Sequence, residues 1–238
     1  MYCISTFYNF IEINDIEDIQ RELKIFCSEN DIKGTIILDK EGINGTIAGI
    51  EEKITSFQNI LAKYLNIMNF QRSKSEFMPF QKMKIKIKKE IVTFGLENLD
   101  MSNIGQYITT DQWDDLISNP NVKVIDTRNY YETALGTFKN AISPNTNNFS
   151  DFIGWAESNL DRNDLDKPIA MFCTGGIRCE KATAYVKHLG FKNVYHLKSG
   201  IIGYLKSKQN QENMWSGSCF IFDERIMLDY NLAPINSQ

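Results

Sequence analysis

Residues 168–173, Pro-Ile-Ala-Met-Phe-Cys, are apolar almost without interruption, and two glycines and a helix-forming run follow at once. A strand apolar on both faces must be covered on both sides, the situation of a parallel sheet flanked by helices. Val122–Asp126 is a second apolar strand ending in an acid, and Val194–Leu197 is a third. Ile177–Leu189 has helical character and Gly190 stops it. Strands alternating with helices predict an α/β domain with a parallel sheet. Open sheets of that kind bind ligands at the carboxyl ends of their strands, so Cys173 becomes the first functional candidate.

The first part of the chain has a different rhythm. Cys3–Ile13 is strand-like, and Asp15–Ser28 is helical through Ile16, Ile19, Leu23 and Phe26, with Asn14 in the N-cap position. Gly34–Leu38 reads as a strand, Glu41-Gly42-Ile43-Asn44-Gly45 as a turn into Thr46–Ala48, and Glu51–Leu65 as a helix. Met83–Thr93 alternates in the strand period. The order β-α-β-β-α-β is that of an α+β ferredoxin-like sandwich. Turn residues gather over 95–110 (Gly95, Asn98, Asp100, Ser102, Asn103, Gly105), where the pattern changes. We therefore divide the 238 residues into a ferredoxin-like domain over 1–95, an α/β domain over 110–210, and a tail, 211–238, packed on the second domain through Trp215 and Phe220.

The chemistry concentrates in Cys173-Thr174-Gly175-Gly176-Ile177-Arg178-Cys179. Gly175 and Gly176 let the loop Thr174–Ile177 fold tightly, so that its backbone amides converge into an anion-binding nest at a helix start. Amides and helix dipole favour a thiolate, which makes Cys173 the expected nucleophile, and Arg178 adds fixed positive charge. The plain alternative is a cysteine packed as a small hydrophobe. Strand end, paired glycines, arginine and helix start occurring together favour function. Four residues separate Cys173 from Arg178. Protein tyrosine phosphatases use a similar cradle one residue longer, which fits a tetrahedral phosphoryl group. The shorter ring is sized for one extra sulfur or a similarly small atom, and this argues against phosphatase activity.

Residues 110–206 resemble a rhodanese domain, through Val124-Ile125-Asp126-Thr127-Arg128 with Glu132 and Gly136, and through Gly190-Phe191-Lys192-Asn193-Val194-Tyr195 with Gly200-Ile201. Thr137 stands where many rhodaneses have histidine, and Ser199 replaces one glycine of a pair. With Glu41-Gly42-Ile43-Asn44, the stretch 173–182 and Phe222-Asp223-Glu224-Arg225, nearly the whole chain resembles the bacterial tRNA uridine hydroxylases. The resemblance implies an α+β ferredoxin-like (acylphosphatase-like) domain followed by an α/β rhodanese domain. It also implies oxygen-dependent hydroxylation of the wobble uridine of tRNA to 5-hydroxyuridine, with molecular oxygen as co-substrate and an electron donor that the sequence does not name. Cys173 is then the catalytic residue, as nucleophile or persulfide carrier, with Arg178 as its electrostatic partner.

Cys179, six residues after Cys173, is either a resolving thiol for an oxidised or persulfidated Cys173 or a small residue packed beneath the loop. The five cysteines, with Cys3, Cys27 and Cys219 read as structural, are odd in number and scattered, and they contain no Cys-x-x-Cys pair. A disulfide framework is excluded, a zinc site is disfavoured, and a reducing, cytoplasmic compartment is expected. The only histidines, His188 and His196, lie away from the loop mouth, so we assign no metal and see no evident cofactor. Without the resemblance, the residues favour sulfur transfer from thiosulfate or a persulfide donor, and this is the alternative function.

A net charge of −4 gives no global basic field, so any nucleic acid needs a local patch. Residues 71–90 supply one: Arg72, Lys74, Lys82, Lys84, Lys86, Lys88 and Lys89 against Glu76 and Glu90. Alternation puts Lys84, Lys86 and Lys88 on the solvated face of a strand, placed to meet RNA phosphates, with Phe70, Phe77 and Phe80 near for stacking. Lysines guarding an exposed strand edge are the alternative. Phe222-Asp223-Glu224-Arg225 reads as a surface salt-bridge set. No apolar run approaches the roughly 20 residues of a membrane span and the first residues lack a leader pattern, so tRNA is the one expected partner, with neither membrane nor protein partner assigned.

Overall fold

Ile16, Ile19, Leu23 and Cys27 recur at helical spacing, and all four are buried along one face of α1 (Ile16–Glu29). Ile54, Phe57, Leu61 and Leu65 do the same for α2 (Glu51–Leu65). Both stripes join the core formed by Phe7, Ile36, Leu38, Ile43 and Ile47 of the sheet beside them. In the computed structural model the chain divides into two units, Met1–Thr93 and Phe94–Gln238. Residues 1–65, 69–209 and 211–235 are described, so the last three residues of the expected tail, 236–238, lie outside them.

Among the described residues the first unit has five strands: β1 (Tyr2–Phe10), β2 (Lys33–Asp39), β3 (Gly42–Gly49), β4 (Asn69–Ser75) and β5 (Met83–Ile87), in the order β4-β1-β3-β2-β5. This is the ferredoxin-like sandwich, with corrections. The closing strand is β4, antiparallel to β1 with Phe7 opposite Phe70, and not Met83–Thr93. Met83–Ile87 is an additional strand, parallel to β2 at the opposite edge. The basic segment is therefore split. Lys84 and Lys86 are exposed on β5, with Lys88 just beyond it, whereas Arg72 and Lys74 lie on β4. Arg72 is engaged by α2, donating to Thr55 at 3.0 Å and to Gln58. Helix α1 is preceded by Asp15 rather than by an Asn14 cap.

Gly42–Gly45 is strand and not turn. A Cβ on Gly45 would lie 2.9 Å from the Phe7 ring and 3.0 Å from Ile36, so glycine lets β3 pass beneath them. Glu41 and Asn44 hold the backbone of one residue at both of its polar groups: the Glu41 carboxylate accepts from the Ile91 amide at 2.7 Å, and the Asn44 side-chain amide donates to the Ile91 carbonyl at 2.9 Å.

The second unit opens on Phe94, which packs against Phe149 at 4.9 Å and edge-on to Tyr185 at 5.8 Å. Its sheet contains β6 (Gln106–Ile108), β7 (Lys123–Asp126), β9 (Ile169–Phe172) and β10 (Val194–Leu197), in the order β6-β10-β9-β7 and all parallel. The expected connector thus supplies an edge strand, β6, which pairs with Tyr195–Leu197. Helices α3 (Thr110–Ser118), α4 (Tyr130–Thr133), α5 (Phe152–Asn159), α6 (Ile177–His188) and α7 (Gly200–Ser207) link and cover these strands. The tail strand β11 (Trp215–Gly217) pairs with β8 (Gly136–Phe138), and Trp215 joins the core edge-on to Phe138 at 5.2 Å. A short hairpin, β12 (Cys219–Phe220) with β13 (Met227–Leu228), follows. No helix among the described residues is long and apolar enough to cross a membrane.

Candidate active site

All four residues of β9 are buried, as a central strand covered on both faces requires. Beyond it the chain leaves the sheet, and the carbonyls of Cys173 and Thr174 accept from the amides of Ile201 and Ile202 at 3.0 and 3.1 Å. The free amides at the start of α7 thus hold the loop from one side. This approach requires Gly200, whose φ is +61° and where a Cβ would lie 2.5 Å from the Cys173 carbonyl oxygen. Ser199, one residue earlier, adopts φ +65° with a side chain present. Gly176, at φ +103°, turns the loop into α6. Gly175 has neither a positive φ nor any atom within 4 Å of a built Cβ, so the backbone demands glycine at 176 and not at 175.

The Cys173 thiol is 1% exposed. The Gly176 amide donates to its sulfur at 3.1 Å. Burial opposes ionisation, but hydrogen bonds from the Cys179 thiol and from the amides of Cys179 and Gly176, together with the Arg178 charge, overcome it and bring the pKa down to about 6. Cys179 responds in the opposite direction. Burial and the neighbouring Cys173 charge hold its thiol well above the ordinary range, so it acts as the donor of the pair. Thr127 Oγ1 lies 3.7 Å from the Cys179 sulfur and donates to the Phe172 carbonyl at 3.0 Å.

The Arg178 fork is directed to Glu132 and not to the sulfur. Its two terminal nitrogens donate to the carboxylate oxygens of Glu132 at 2.6 and 2.7 Å, and its action on Cys173 is through charge. Glu132 is fully buried and also accepts from the Asn129 amide at 3.1 Å and from Thr174 Oγ1 at 3.3 Å. Burial works against its ionisation, and the Arg178 fork outweighs that and keeps the carboxylate charged. Glu132 is therefore a site residue that the sequence reading missed. It stood in the opening rhodanese pattern, but nothing in its spacing pointed to a partner 46 positions away.

A second buried fork lies beside the first. Arg128 donates to Asp126 at 2.9 and 2.7 Å and to the Gly136 carbonyl at 2.5 Å, and Thr137, the departure from the rhodanese pattern, donates to Asp126 at 2.9 Å. Asp223-Glu224-Arg225 repeats the Asp-x-Arg clasp: Arg225 donates to Asp223 at 2.8 and 2.6 Å, with both side chains almost wholly buried. It is not the surface salt bridge expected. Ile177 is half-buried at the first position of α6. His196 is buried and stacked on Tyr107 at 4.3 Å, and burial lowers its pKa to about 4. The structure does not bring Lys84, Lys86 or Lys88 into this unit; they belong to the first.

Residues 2–91 match the family described as UPF0176 acylphosphatase like domain, and residues 109–207 match the rhodanese-like domain. Fold and loop together define a two-domain protein of the rhodanese class. A tRNA uridine(34) hydroxylase of Wolbachia pipientis subsp. Culex pipiens (strain wPip) is 50% identical over 98% of this chain and 83% of its own length. A tRNA uridine(34) hydroxylase of Ehrlichia canis (strain Jake) is 51% identical over 98% of this chain and 86% of its own length. The chain belongs to the tRNA uridine(34) hydroxylase family.

Proposed function

We infer that this chain hydroxylates uridine 34 of tRNA to 5-hydroxyuridine. The observation that carries the reading is the near full-length identity to relatives of that name. Balance requires one uridine, one molecule of oxygen, two electrons and two protons, and gives 5-hydroxyuridine and water. The electrons come from a separate reductant. Cys173 is the reacting residue of this scheme, Arg178 its fixed countercharge, Glu132 the group that positions Arg178, and Cys179 a hydrogen-bond donor to the thiolate. Cys173 is 1% exposed, which disfavours direct contact of its sulfur with a nucleobase. Attack of the Cys173 thiolate on the outer sulfur of a persulfide or thiosulfate donor, with the donor's thiolate or sulfite leaving, would place a persulfide there and extend the reactive sulfur by one S–S bond, about 2.0 Å. That burial supports a carrier role for Cys173 over direct attack on the ring. Lys84, Lys86 and Lys88 are the candidate phosphate contacts, and the compartment is the cytoplasm, where tRNA is found.

The same cradle suits a sulfurtransferase, and one experiment separates the two. Nucleosides are measured by mass spectrometry in tRNA incubated with the purified chain, oxygen and a chemical reductant, and in tRNA from cells with and without the gene. Appearance of 5-hydroxyuridine with the chain and its loss without the gene are expected. Loss of a thiolated nucleoside, with 5-hydroxyuridine unchanged, overturns the reading in favour of sulfur transfer.

A further inference from the structure

Phe222-Asp223-Glu224-Arg225 is the one motif that the active-site geometry leaves unexplained. Its fold is costly. It buries an ion pair, and it holds Ile226, a β-branched residue, at φ +61°. The loop closes on itself, with the Ile221 amide donating to the Ile226 carbonyl at 2.8 Å and the Ile226 amide to the Asp223 carbonyl at 2.9 Å. The result is that Phe222 is held outward, 65% exposed, on an otherwise tightly determined turn. Strain of this kind persists where the surroundings over-determine it, and it clusters at ligand-binding sites.

Phe222 does not stand alone. Its ring meets Phe220 edge-on at 5.1 Å, Phe220 meets Tyr131 at 5.4 Å, and Tyr131 meets Tyr130 at 5.7 Å. Tyr130 and Tyr131 are 48% and 36% exposed and immediately precede Glu132, whose carboxylate holds Arg178 and Thr174 of the cysteine loop. The Tyr131 hydroxyl is anchored at 3.0 Å from Asn129, which fixes the ring. An aromatic row therefore runs from the solvent-facing tip of the tail hairpin to the helix that carries the active-site carboxylate.

We propose that Tyr130, Tyr131 and Phe222 form a stacking platform for unpaired bases of the tRNA anticodon loop, and that the Asp223–Arg225 clasp exists to present Phe222 to them. The proposal rests on the tRNA reading above: position 34 is an unpaired loop nucleotide, and unpaired bases are captured by stacking on exposed aromatic rings. The platform is a binding surface for the substrate and takes no part in bond making.

The test measures KM and kcat for 5-hydroxyuridine formation on tRNA and, separately, the affinity of a labelled single-stranded oligonucleotide of the anticodon-loop sequence. Melting temperature controls for folding. Phe222→Ala is expected to raise KM and weaken oligonucleotide binding by about tenfold, within the span of one lost stacking contact, with kcat kept and the salt dependence of binding unchanged. Phe222→Tyr restores both, and Phe222→Leu, which keeps apolar bulk without a ring, does not. Wild-type KM and affinity in Phe222→Ala overturn the platform. Full function in Phe222→Leu overturns it too, because apolar bulk without a ring then suffices. A wild-type chain that binds the oligonucleotide through Phe222 but makes no 5-hydroxyuridine keeps the platform and overturns the hydroxylase reading.

Discussion

Cys173, at the end of β9, and Cys219, in the tail hairpin, are equally hidden from water, at 1% and 0% exposure, yet they are opposite acids. Burial pushes the Cys219 thiol up to about 12, with the nearby arginine charges too weak to reverse it. Cys173 pays the same desolvation and still falls to about 6. The difference lies in what is aimed at the sulfur: amides of Gly176 and Cys179, the Cys179 thiol and the Arg178 charge act on Cys173, whereas the Cys219 thiol donates to the Phe220 carbonyl at 3.7 Å and its nearby arginine charges are countered by Glu132 and Asp126. Burial raises both thiols, and the donors and charge aimed at the sulfur decide whether that rise is reversed.

The comparison breaks most visibly by substitution of the two sulfurs. Cys173→Ser is expected to lower 5-hydroxyuridine formation by about three orders of magnitude or more, because a hydroxyl neither ionises in this cradle nor carries a second sulfur. Cys219→Ser is expected to retain the rate per folded molecule and to lose only stability, read from melting curves beside product formation. Next in size is Glu132→Gln, which leaves the buried Arg178 charge without its countercharge. It is expected to destabilise the fold by about 3 kcal/mol, the low end for a broken buried pair because the amide oxygen still accepts one bond. Urea unfolding measures it, and a loss below the error of the method would remove Glu132 from the account.

Arg178→Lys sharpens the comparison without removing charge. Lysine cannot span both oxygens of Glu132, so the countercharge at Cys173 loosens and the thiol pKa is expected to rise from about 6 toward the ordinary value, with turnover falling alongside. Lower turnover with an unmoved thiol titration would mean that Arg178 acts on substrate instead. The smallest effect belongs to Ser199→Gly. Relief of the left-handed strain at φ +65°, offset in part by the greater freedom of glycine when unfolded, is expected to stabilise the chain by about 0.5–1 kcal/mol. That corresponds to a melting temperature higher by about 1–4 °C.

What the sequence made legible follows from the same physics. Ile169–Phe172 could be placed because a strand covered on both faces must be continuously apolar, and Gly176 because a tight turn into a helix needs its φ. Asn69–Ser75 could not be read as a strand: it is a polar edge strand with Phe70 as its one apolar core contact, and the strongly alternating Met83–Ile87 took its place in the count. Alternation reports which face a residue occupies and says nothing of which sheet edge the strand joins. Gly42 and Gly45 suggested a turn because their role, close passage of β3 by Asn9 and Phe10 at Gly42 and beneath Phe7 and Ile36 at Gly45, depends on neighbours distant in sequence. Glu132 and the Asp223–Arg225 clasp were hidden for a related reason, since charged residues read as solvated until a buried partner is seen. The repeated Asp-x-Arg at 126–128 and 223–225 was the available signal.

The central claim is that this loop keeps Cys173 as a thiolate at neutral pH, and a pH titration of the thiolate ultraviolet absorbance, wild type minus Cys173→Ser, tests it without requiring any reagent to reach the buried sulfur. Because the folded pKa lies below the unfolded value, ionised Cys173 stabilises the fold at alkaline pH, and that stabilisation is lost as the pH falls through the folded pKa. The account predicts a difference titration centred at about 6, accompanied by a melting temperature that falls as the pH is lowered from 9.0 to about 6 and levels off below, in wild type and not in Cys173→Ser. A difference titration centred at 9.0 or above, with no acid-side change in melting attributable to Cys173, would contradict it.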